Sequence, residues 1–460
     1  MPSDVLLAEL QTIVGETNLL HHSADCWPYG FDNSRRHAQP DFVAFPQTHE
    51  QVVELIKLCN THKLPMVARG RGTGTTGSCV PIYNGLVISF EKLNRILDID
   101  PDNRIIVAQP GVTNGELQQA AANHGFFWPP DPTSSAFCSI GGNLAFNSAG
   151  PRTVKYGTPR ENTLGLKAVT GSGEGLRTGV YTSKGVVGYD LTRLIIGSEG
   201  TLAVITEATL KLTPLPDSKR TLRAIFSSMN DAAQAVSRIM AQPVTPCALE
   251  FIDQAAIEMI RDYSQANLPT NAGALLMIEV DGLDSSMQAS VEAIEKAAKG
   301  QGLLEFTVAK TVDEVNALWA TRKALSPALR NVAPKKINED IVVPVSNMAK
   351  LIDGLSALSD KHAIKIVNFG HAGNGNIHVN LLTNPDDPEE QKRAEQCLND
   401  VFTLVLDLKG TLSGEHGVGL EKRDFVGLEL DPTALTLMRG IKRQFDPQNI
   451  LNPDKALPLA

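Results

Sequence analysis

Hydrophobic positions near the start of the chain recur with helical spacing. In residues 3–15 the apolar side chains share one stripe, and Ser3 precedes them as a helix N-cap. Residues 49–61 repeat this spacing, which predicts a second helix after a short strand at 41–46. A further strand at 65–69, PMVAR, runs directly into a glycine-rich loop.

The pattern changes to short β-branched segments between this loop and residue 212. Four segments separated by turns predict strands there: LVISF, RIIVAQPG, GLKAVTG and TLAVITEATLKL. The segment 212–220, LTPLPDSKR, has two prolines and mixed charge and is predicted to be a linker. Helical patterns alternate with strand patterns after it, which predicts an α+β or α/β domain. The predicted helices are 230–241, 286–299, 312–330 and 432–446, and the predicted strands are 246–252, 274–281, 341–343, 364–369 and 376–382.

Composition narrows the class of partner and the compartment. The 460 residues carry a net charge of −9 without a basic stripe, which argues against nucleic acid as a partner. The start has no basic segment of a secretory signal, and no apolar run reaches the ~18–20 residues that span a bilayer. Six scattered cysteines favour neither disulfides nor iron–sulfur ligation. We expect a cytoplasmic protein, with peripheral membrane attachment as an open alternative. Whether the chain forms a homodimer is also left open.

Glycine is concentrated in one part of the chain. Of 37 glycines, 21 lie between Gly70 and Gly200, which indicates backbone in unusual conformations or close to a ligand. The first cluster contains a GxGxxG pattern beginning at Gly72. The NAD-binding fingerprint requires a helix after this loop, and Pro81 followed by a strand pattern excludes one. Successive small residues still let several N–H groups converge on a pyrophosphate, with a mobile surface loop as the alternative.

Two further glycine-bearing runs follow. Residues 129–157, PPDPTSSAFCSIGGNLAFNSAGPRTVKYG, combine small side chains with few charges. Residues 188–212, GYDLTRLIIGSEGTLAVITEATLKL, place a buried strand after Gly200. Separately, each run is compatible with turns alone. Together the three runs predict one large cofactor site lined by backbone atoms.

These motifs resemble the FAD-binding domain of flavoenzymes related to vanillyl-alcohol oxidase and p-cresol methylhydroxylase, over about residues 38–217. Downstream, FGHAGNGNIHVN (369–380), SGEHGVGLEKR (413–423) and ILNPDK (450–455) resemble the D-2-hydroxy acid dehydrogenase branch. That branch includes D-lactate dehydrogenase, the glycolate oxidase flavin subunit and D-2-hydroxyglutarate dehydrogenase.

The resemblance implies a domain organisation. The expected α+β fold has a two-part FAD-binding domain of the p-cresol methylhydroxylase type and a substrate-binding cap domain with a mainly antiparallel sheet. We expect an N-terminal helical segment at 1–37, the FAD-binding domain at 38–217 and the cap domain at 218–410. A C-terminal segment at 411–460 is expected to return to the flavin and complete the active site.

The resemblance also implies the cofactor contacts. The FAD pyrophosphate is expected to lie against the loop from Arg69 to Thr75, the second glycine run against the flavin and its ribityl chain, and Ile205 near the adenine. Some relatives attach FAD through a histidine in this loop. Here the loop holds Arg71 and no histidine, so we expect non-covalent FAD. The predicted cofactor-binding residues are Arg69, Gly70, Arg71, Gly72, Thr73, Gly74, Thr75, Pro130, Asp131, Ser139, Gly142, Asn143, Asn147, Ile205 and Asn452.

Histidines flank a glycine-rich turn between two predicted strands. His371 and His378 lie on either side of AGNGNI, and Glu415 and His416 are adjacent in another glycine-flanked turn. Two imidazoles and a carboxylate suit Zn²⁺ or Mn²⁺ with positions open for substrate, although spacing alone leaves structural histidines as an equal alternative. The resemblance favours metal, because D-2-hydroxyglutarate dehydrogenase-like members bind metal at the positions of His371, His378 and Glu415.

The expected reaction removes a hydride from C2 of a 2-hydroxy acid and a proton from its hydroxyl. The flavin N5 takes the hydride, the metal lowers the hydroxyl pKa, and His416 is the candidate base. By the resemblance, Arg322 binds the substrate carboxylate, with a solvated helix face as the alternative. Asn380, two residues after His378 on the same predicted strand, is expected to donate to the same carboxylate.

The residues around Arg322 leave two acids open. Ser326 resembles the hydroxyl residue that helps D-2-hydroxyglutarate dehydrogenase-like sequences to bind a distal carboxylate. Those sequences have a lysine where this chain has Asn338, and Lys336 is either its substitute or a solvated charge. The FAD domain resembles the D-lactate and glycolate oxidase proteins more closely. We therefore expect D-lactate or a similar short acid first, and D-2-hydroxyglutarate second.

The electrons of reduced FAD need an external acceptor: a quinone, a cytochrome, an electron-transfer flavoprotein or a partner subunit. One alternative function is a flavin subunit of a glycolate oxidase-like complex that acts mainly in electron relay. Another is an oxidase of phenolic or sugar alcohols on the same fold. Neither alternative needs the complete set of His371, His378, Glu415 and His416.

Overall fold

The computed structural model describes residues 4–261 and 268–459, except for the side chains at 326–327 and 330–331. These residues divide into two compact units. Unit 1 comprises Met1–Gly150, Gly157–Leu215 and Glu415–Ala460, and unit 2 comprises Pro151–Tyr156 and Pro216–Gly414.

The strands are β1 (Leu19–Leu20), β2 (Phe42–Ala44), β3 (Met66–Arg69), β4 (Leu86–Ser89), β5 (Ile96–Asp100), β6 (Ile105–Ala108), β7 (Phe126–Phe127), β8 (Thr163–Thr170), β9 (Gly175–Gly179), β10 (Ala203–Lys211), β11 (Thr213–Pro214), β12 (Ser218–Phe226), β13 (Ala248–Asp253), β14 (Ala274–Gly282), β15 (Leu303–Val308), β16 (Lys335–Val342), β17 (Lys365–His371) and β18 (Asn376–Thr383). The α-helices are α1 (Asp4–Val14), α2 (Ser23–Cys26), α3 (His49–His62), α4 (Asn114–Ala122), α5 (Ile140–Phe146), α6 (Thr153–Tyr156), α7 (Leu191–Ile195), α8 (Met229–Ala241), α9 (Gln254–Ile260), α10 (Met287–Ala298), α11 (Val312–Val332), α12 (Met348–His362), α13 (Pro388–Asp407), α14 (Val426–Glu429) and α15 (Pro432–Phe445).

The first sheet of unit 1 has the strand order β1–β2–β4–β3, in which β2, β4 and β3 run parallel. Parallel strands need a crossover connection, and α3 supplies it between β2 and β3. The side chain of Thr48 begins α3 by accepting from the backbone N–H of Gln51. Leu10 of α1 and Leu55 of α3 are fully buried in the core of this sheet. These elements confirm the first two predicted helices, whereas Ser3 lies outside the described residues.

The C-terminal segment adds to the same sheet. Leu451 forms an isolated parallel bridge with Met66, the first residue of β3. The Met66 N–H donates to the Ile450 carbonyl at 2.8 Å, and the Asn452 N–H donates to the Met66 carbonyl at 2.8 Å. Residues 450–452 therefore complete the sheet at the strand that leads into the glycine loop.

The second sheet of unit 1 is antiparallel, with the order β5–β6–β10–β8–β9. Its core includes Ile106, Leu210 and the fully buried Trp128, with α4 and α5 packed on it. Residues 70–85, which connect β3 to β4, contain turns and bends without a helix. The exclusion of an NAD-type fingerprint is therefore confirmed.

Unit 2 is built on a seven-stranded antiparallel sheet with the order β15–β12–β14–β13–β17–β18–β16. Helices α9 and α11 pack on one face, over a core that includes Ile252, Leu329 and Phe369. Helices α8, α10, α12 and α13 contact one another in a second layer. The antiparallel sheet predicted for this part of the chain is confirmed.

One local prediction is wrong, and the bounds of a second are too short. The segment 212–220 is not a linker, since Thr213–Pro214 pairs with β7 and β12 begins at Ser218. Pro214 is tolerated because this two-stranded pair has free edges. The strand predicted at 341–343 is the end of the longer β16, whose charged start lies at the edge of the sheet, where lysine is common.

Candidate functional site

Unit 1 contains a groove with an empty volume of about 580 Å³, counted with its open side. All three glycine-bearing runs contribute to it, and among the predicted residues Gly70, Gly142 and Ile205 line it. Its lining residues are Ala68, Gly70, Ser78, Cys79, Phe90, Pro110, Gly141, Gly142, Ala145, Phe146, Ile195, Ser198, Glu199, Gly200, Ala203, Val204 and Ile205.

The glycine loop approaches the second run too closely for a side chain. A Cβ on Gly70 would lie 2.4 Å from Oγ of Ser139. That hydroxyl caps α5 by accepting from the Gly142 N–H at 3.2 Å. Gly72 and Gly77 have φ of +64° and +76°, which glycine adopts without strain. The loop therefore needs glycine for its close packing against Ser139 and for its positive φ angles.

Replacement of Gly70 by alanine is expected to weaken FAD binding. Either Ser139 gives up its position at α5 or the loop shifts, and overpacking of this kind costs about 1–3 kcal/mol. The dissociation constant for FAD should rise by up to about 150-fold, measured by flavin fluorescence. Gly427→Ala is the control, because its Cβ would meet no atom within 4 Å. Equal FAD affinity in the two variants would contradict the expectation.

Three predicted asparagines make internal hydrogen bonds in unit 1. Asn143 Oδ1 accepts from Asn114 Nδ2 at 3.1 Å. Asn147 ends α5 in the left-handed conformation, with φ of 55°. Asn452 Nδ2 donates to the Glu199 carbonyl at 2.7 Å. These contacts give the asparagines a structural task, and their contact with FAD stays a prediction.

None of the other predicted cofactor residues, all of which the structure describes, lines the groove itself. Arg69 is buried, and its Nη1 donates to the Phe31 carbonyl at 2.6 Å. Asp131, directly after Pro130, donates its N–H to the Ala149 carbonyl at 2.8 Å. The remaining candidates follow β3 in the turns of the glycine loop: Arg71, Gly72, Thr73, Gly74 and Thr75.

Glu199 is a residue of this groove that the sequence analysis missed. Its carboxylate accepts from the Ser78 hydroxyl and from the backbone N–H groups of Val418 and Gly419, at 2.7 and 2.9 Å. Burial raises the pKa of Glu199, although these three donors oppose the change. The available signal was a lone acidic residue inside the small, apolar run LIIGSEGTLAVI.

In unit 2 the two histidines of the glycine-rich turn come together. His371 ends β17 and pairs with Asn376, while His378 on β18 pairs with Phe369. The imidazole centroids are 5.3 Å apart, and the rings are nearly perpendicular. Both side chains are buried. The register of β17 and β18 therefore brings the two rings together at neighbouring strand ends, as the sequence predicted.

A buried carboxylate orients the first histidine. Glu250, 1% exposed on β13, accepts from Nδ1 of His371 at 2.5 Å and from Nε of Arg322 at 2.8 Å. Burial alone would raise the pKa of Glu250, but the charges of His371 and Arg322 outweigh it and hold that pKa below its ordinary value. The sequence analysis missed Glu250 as well. Its signal was a single acidic residue in the apolar strand segment ALEFI.

Arg322 is held in place on the same sheet face. Its guanidinium lies 5.0 Å from the centroid of the Phe369 ring. Within the described part of the chain, no residue accepts a hydrogen bond from its two η nitrogens. The alternative of a solvated helix face does not fit this side chain, which is 13% exposed. Its Nη groups have the fork geometry that a carboxylate requires.

The register of β16 and β18 places the remaining predicted residues of unit 2. Asn380 opposes Asn338 and Lys336 opposes Leu382, so all four lie on the face of His378. Asn380 Nδ2 donates to the carbonyls of Val367 and His378, at 3.1 and 3.0 Å, and its Oδ1 accepts from Asn338. The side chain of Ser326 lies outside the described ones.

The turn before Glu415 is fixed on unit 2. The Gly414 N–H donates to the carbonyl and to Oδ2 of Asp340, at 2.8 and 2.9 Å. Asp340 opposes His378 across β16 and β18. Glu415 and His416 follow directly in the chain and belong to unit 1, where Glu415 Oε2 accepts from the Gly150 N–H at 2.9 Å.

The donor set of unit 2 fits a divalent metal. A histidine ligand usually donates its second ring nitrogen to a carboxylate, which fixes the ring for coordination. Glu250 and His371 have this relation, with Nε2 on the far side of the ring. Two buried imidazoles that meet edge to face suit Zn²⁺ or Mn²⁺.

Among the residues described, no helix combines the length and apolar character that a membrane crossing requires.

Comparison with known proteins identifies both halves of the chain. Residues 215–456 match the family model for the C-terminal domain of FAD linked oxidases, and residues 40–179 match a model for an FAD binding domain. The chain is 38% identical to glycolate oxidase subunit GlcD of Bacillus subtilis (strain 168), over 97% of this chain and 95% of that protein. It is 33% identical to D-lactate dehydrogenase of Anaerostipes hadrus, over 91% of this chain and 90% of that protein.

Solved structures share the fold. The protein is similar to p-cresol methylhydroxylase with substrate bound, with a TM-score of 0.80, 19% identity and coverage of 99% of this chain and 97% of that one. It is also similar to 4-ethylphenol oxidase from Gulosibacter chungangensis, with a TM-score of 0.78, 18% identity and coverage of 99% and 98%. The predicted fold class, an FAD-binding domain of the p-cresol methylhydroxylase type with a second α+β domain, is confirmed.

Proposed function

Because this chain belongs to the family of FAD-linked oxidases, we propose that it is an FAD-dependent dehydrogenase that oxidises a D-2-hydroxy acid to the 2-oxo acid. The observation that carries this proposal is the buried arrangement in which Glu250 orients His371 beside His378, with Arg322 on the same carboxylate. Relatives named D-lactate dehydrogenase support the same chemistry.

The chemistry separates a hydride on C2 from the proton of the hydroxyl. FAD, when bound, supplies the acceptor for the hydride at its N5 atom. A divalent metal held by His371, His378 and Glu415 would lower the pKa of the substrate hydroxyl. His416 accepts that proton as the general base. Glu250 keeps His371 in the tautomer that presents Nε2 to the metal.

Arg322 binds and orients the substrate. Its Nε is committed to Glu250, so the paired Nη groups remain for the two oxygens of the C1 carboxylate. The position of the guanidinium over the Phe369 ring adds a cation–π contact that helps to hold it. Because a bidentate contact fixes both distance and direction, the C2 hydrogen of the D-enantiomer would be presented in one orientation.

Two classes of substrate are candidates for the site around Arg322. A short acid such as D-lactate is the first candidate, in keeping with the names of the relatives. D-2-Hydroxyglutarate is the second, because Lys336 lies on the face of His378, two residues beyond Asn338, and its ammonium could pair with a distal carboxylate. Reduced FAD would then pass electrons to an external acceptor: a quinone, a cytochrome, an electron-transfer flavoprotein or a partner subunit.

The proposal is tested by anaerobic bleaching of the flavin of the purified protein. The panel contains D-lactate, D-2-hydroxyglutarate, D-malate, glycolate and the L-enantiomers of the chiral acids. We expect rapid loss of the oxidised flavin absorbance with at least one D-acid and no loss with its L-enantiomer. Bleaching by none of them would overturn the proposed function and favour a flavin subunit of a glycolate oxidase-like complex that acts in electron relay.

A further inference from the structure

The groove of unit 1, where the proposed function would place FAD, is called the flavin groove below. The carboxylate of Glu199 joins its wall to the segment that carries His416. Glu199 lines the groove and is 6% exposed. It accepts from two successive backbone N–H groups, those of Val418 and Gly419, and from the Ser78 hydroxyl. The acceptor sites of one buried carboxylate are thus directed at the backbone two and three residues after His416.

The backbone on both sides adopts conformations that serve this contact. Gly417 and Gly419 have φ of +85° and +51°, which turns the two N–H groups toward one acceptor. A Cβ on Gly419 would lie 2.2 Å from the Thr76 carbonyl, so only glycine fits there. Glu199 itself has φ of +54°, an uncommon conformation for a residue with a side chain.

The glycine loop holds the same segment by a second route. The Leu420 N–H donates to the Thr76 carbonyl at 2.8 Å, and the Thr76 hydroxyl donates to the His416 carbonyl at 3.5 Å. Lys455 lies nearby, and its ammonium donates to the Ser78 carbonyl at 3.2 Å. The backbone around His416 is therefore tied to two of the three glycine-bearing runs within unit 1.

We propose that Glu199 is a positioning residue for His416: its carboxylate holds the backbone of residues 417–419 against the flavin groove. This inference rests on the proposed function for the role of His416 as the base. Glu199 contacts the backbone of the segment rather than the imidazole of His416. Loss of the carboxylate should therefore slow proton removal while substrate affinity, which depends on Arg322, stays nearly unchanged.

The test combines hydrogen exchange with flavin reduction in the full-length holoprotein. In Glu199→Gln, amide exchange in a peptide covering residues 414–423 should accelerate about ten- to a hundredfold, the loss expected for charge-assisted hydrogen bonds. The anaerobic rate constant for flavin reduction at saturating acid should fall by a similar factor, and the half-saturating acid concentration should change by less than about threefold. Ser78→Ala, which removes only the hydroxyl donor, should give a smaller change of the same kind.

Glu207→Gln is the matched control. Glu207 lies on β10 in the same unit, and its carboxylate meets Arg177 at 3.5 Å near the surface. Unchanged exchange at 414–423 in Glu199→Gln would overturn the anchoring, and faster exchange with undiminished flavin reduction would overturn the positioning role. Faster exchange in a protein whose parent is reduced by no acid of the panel would uphold the anchoring and refute the proposed function instead.

Discussion

Replacement of His416 by alanine is expected to abolish measurable reduction of FAD by the hydroxy acid while FAD stays bound. Without the imidazole, the hydroxyl proton loses its general base, and general-base contributions are typically about 10²- to 10⁴-fold. The segment should keep its conformation, because the contacts of Thr76 and Glu199 are to its backbone. The measurement is the anaerobic rate of flavin bleaching, with bound FAD quantified separately.

His62→Ala provides the control for this prediction. His62 pairs with Glu9 on the surface of unit 1, far along the chain from the motif. Its replacement should leave flavin reduction within about twofold of the parent, the scatter expected for a surface change. Reduction of the His416→Ala flavin at the parental rate would refute the assignment of His416 as the base.

Removal of the metal is expected to suppress flavin reduction even when His416 is present. A strong chelator should abolish flavin reduction, and added Zn²⁺ or Mn²⁺ should restore it. His378→Ala should not be restored by metal, since it lacks one imidazole. Glu250→Gln should weaken metal binding about 10- to 100-fold, because it removes the carboxylate that orients His371. Metal content by mass spectrometry and activity titrated against added metal are the measurements.

Asp253→Asn controls for the loss of a buried carboxylate. Asp253 lies on the same strand, β13, and its Oδ1 accepts from the Ala256 N–H as the cap of α9. Its replacement should lower the free energy of unfolding by about 1–2 kcal/mol and leave metal affinity unchanged. Full activity of a demonstrably metal-free preparation would count against the metal site altogether.

Sequence pattern was sufficient for the elements that obey local rules. The spacing of Val52, Ile56 and Cys59 predicted α3, and the β-branched runs predicted β8 and β10. The absence of a helix directly after the glycine loop followed from Pro81 and the strand pattern behind it. His371 and His378 could be paired because a short turn between two strands forces their ends together.

The contacts that organise the candidate site could not be read this way. Glu250 meets His371 only because β13 and β17 are neighbours, and they are separated by about 120 positions in the chain. Glu199 meets Val418 across 219 positions. Non-local pairing is set by the whole sheet order, which hydrophobic periodicity does not contain. A single acidic residue within an apolar segment was nevertheless a visible signal in both cases, since a buried charge must find partners.

The errors in predicting residues 212–220 and the start of β16 have a different cause. The prolines of 212–220 suggested a linker, yet a short edge pair tolerates Pro214 because its N–H is not needed there. The start of β16, KKINED, is mostly polar. It forms the edge of the sheet, and Asn338 and Asp340 lie on the face of His378. Functional and edge positions depart from the pattern that buried strands follow.

The bridge between Met66 and Leu451 affects how the protein folds while it is being synthesised. The strand that leads into the flavin groove cannot gain its last neighbour until residue 452 has been made, some 380 residues after β3. At ~5–20 residues per second that is an interval of roughly 20 to 80 seconds. The sheet of unit 2, which ends at Thr383, is complete earlier. During this interval one edge of β3 is open to pairing with other nascent chains. Folding of unit 1 should therefore depend on chaperones more than folding of unit 2 does.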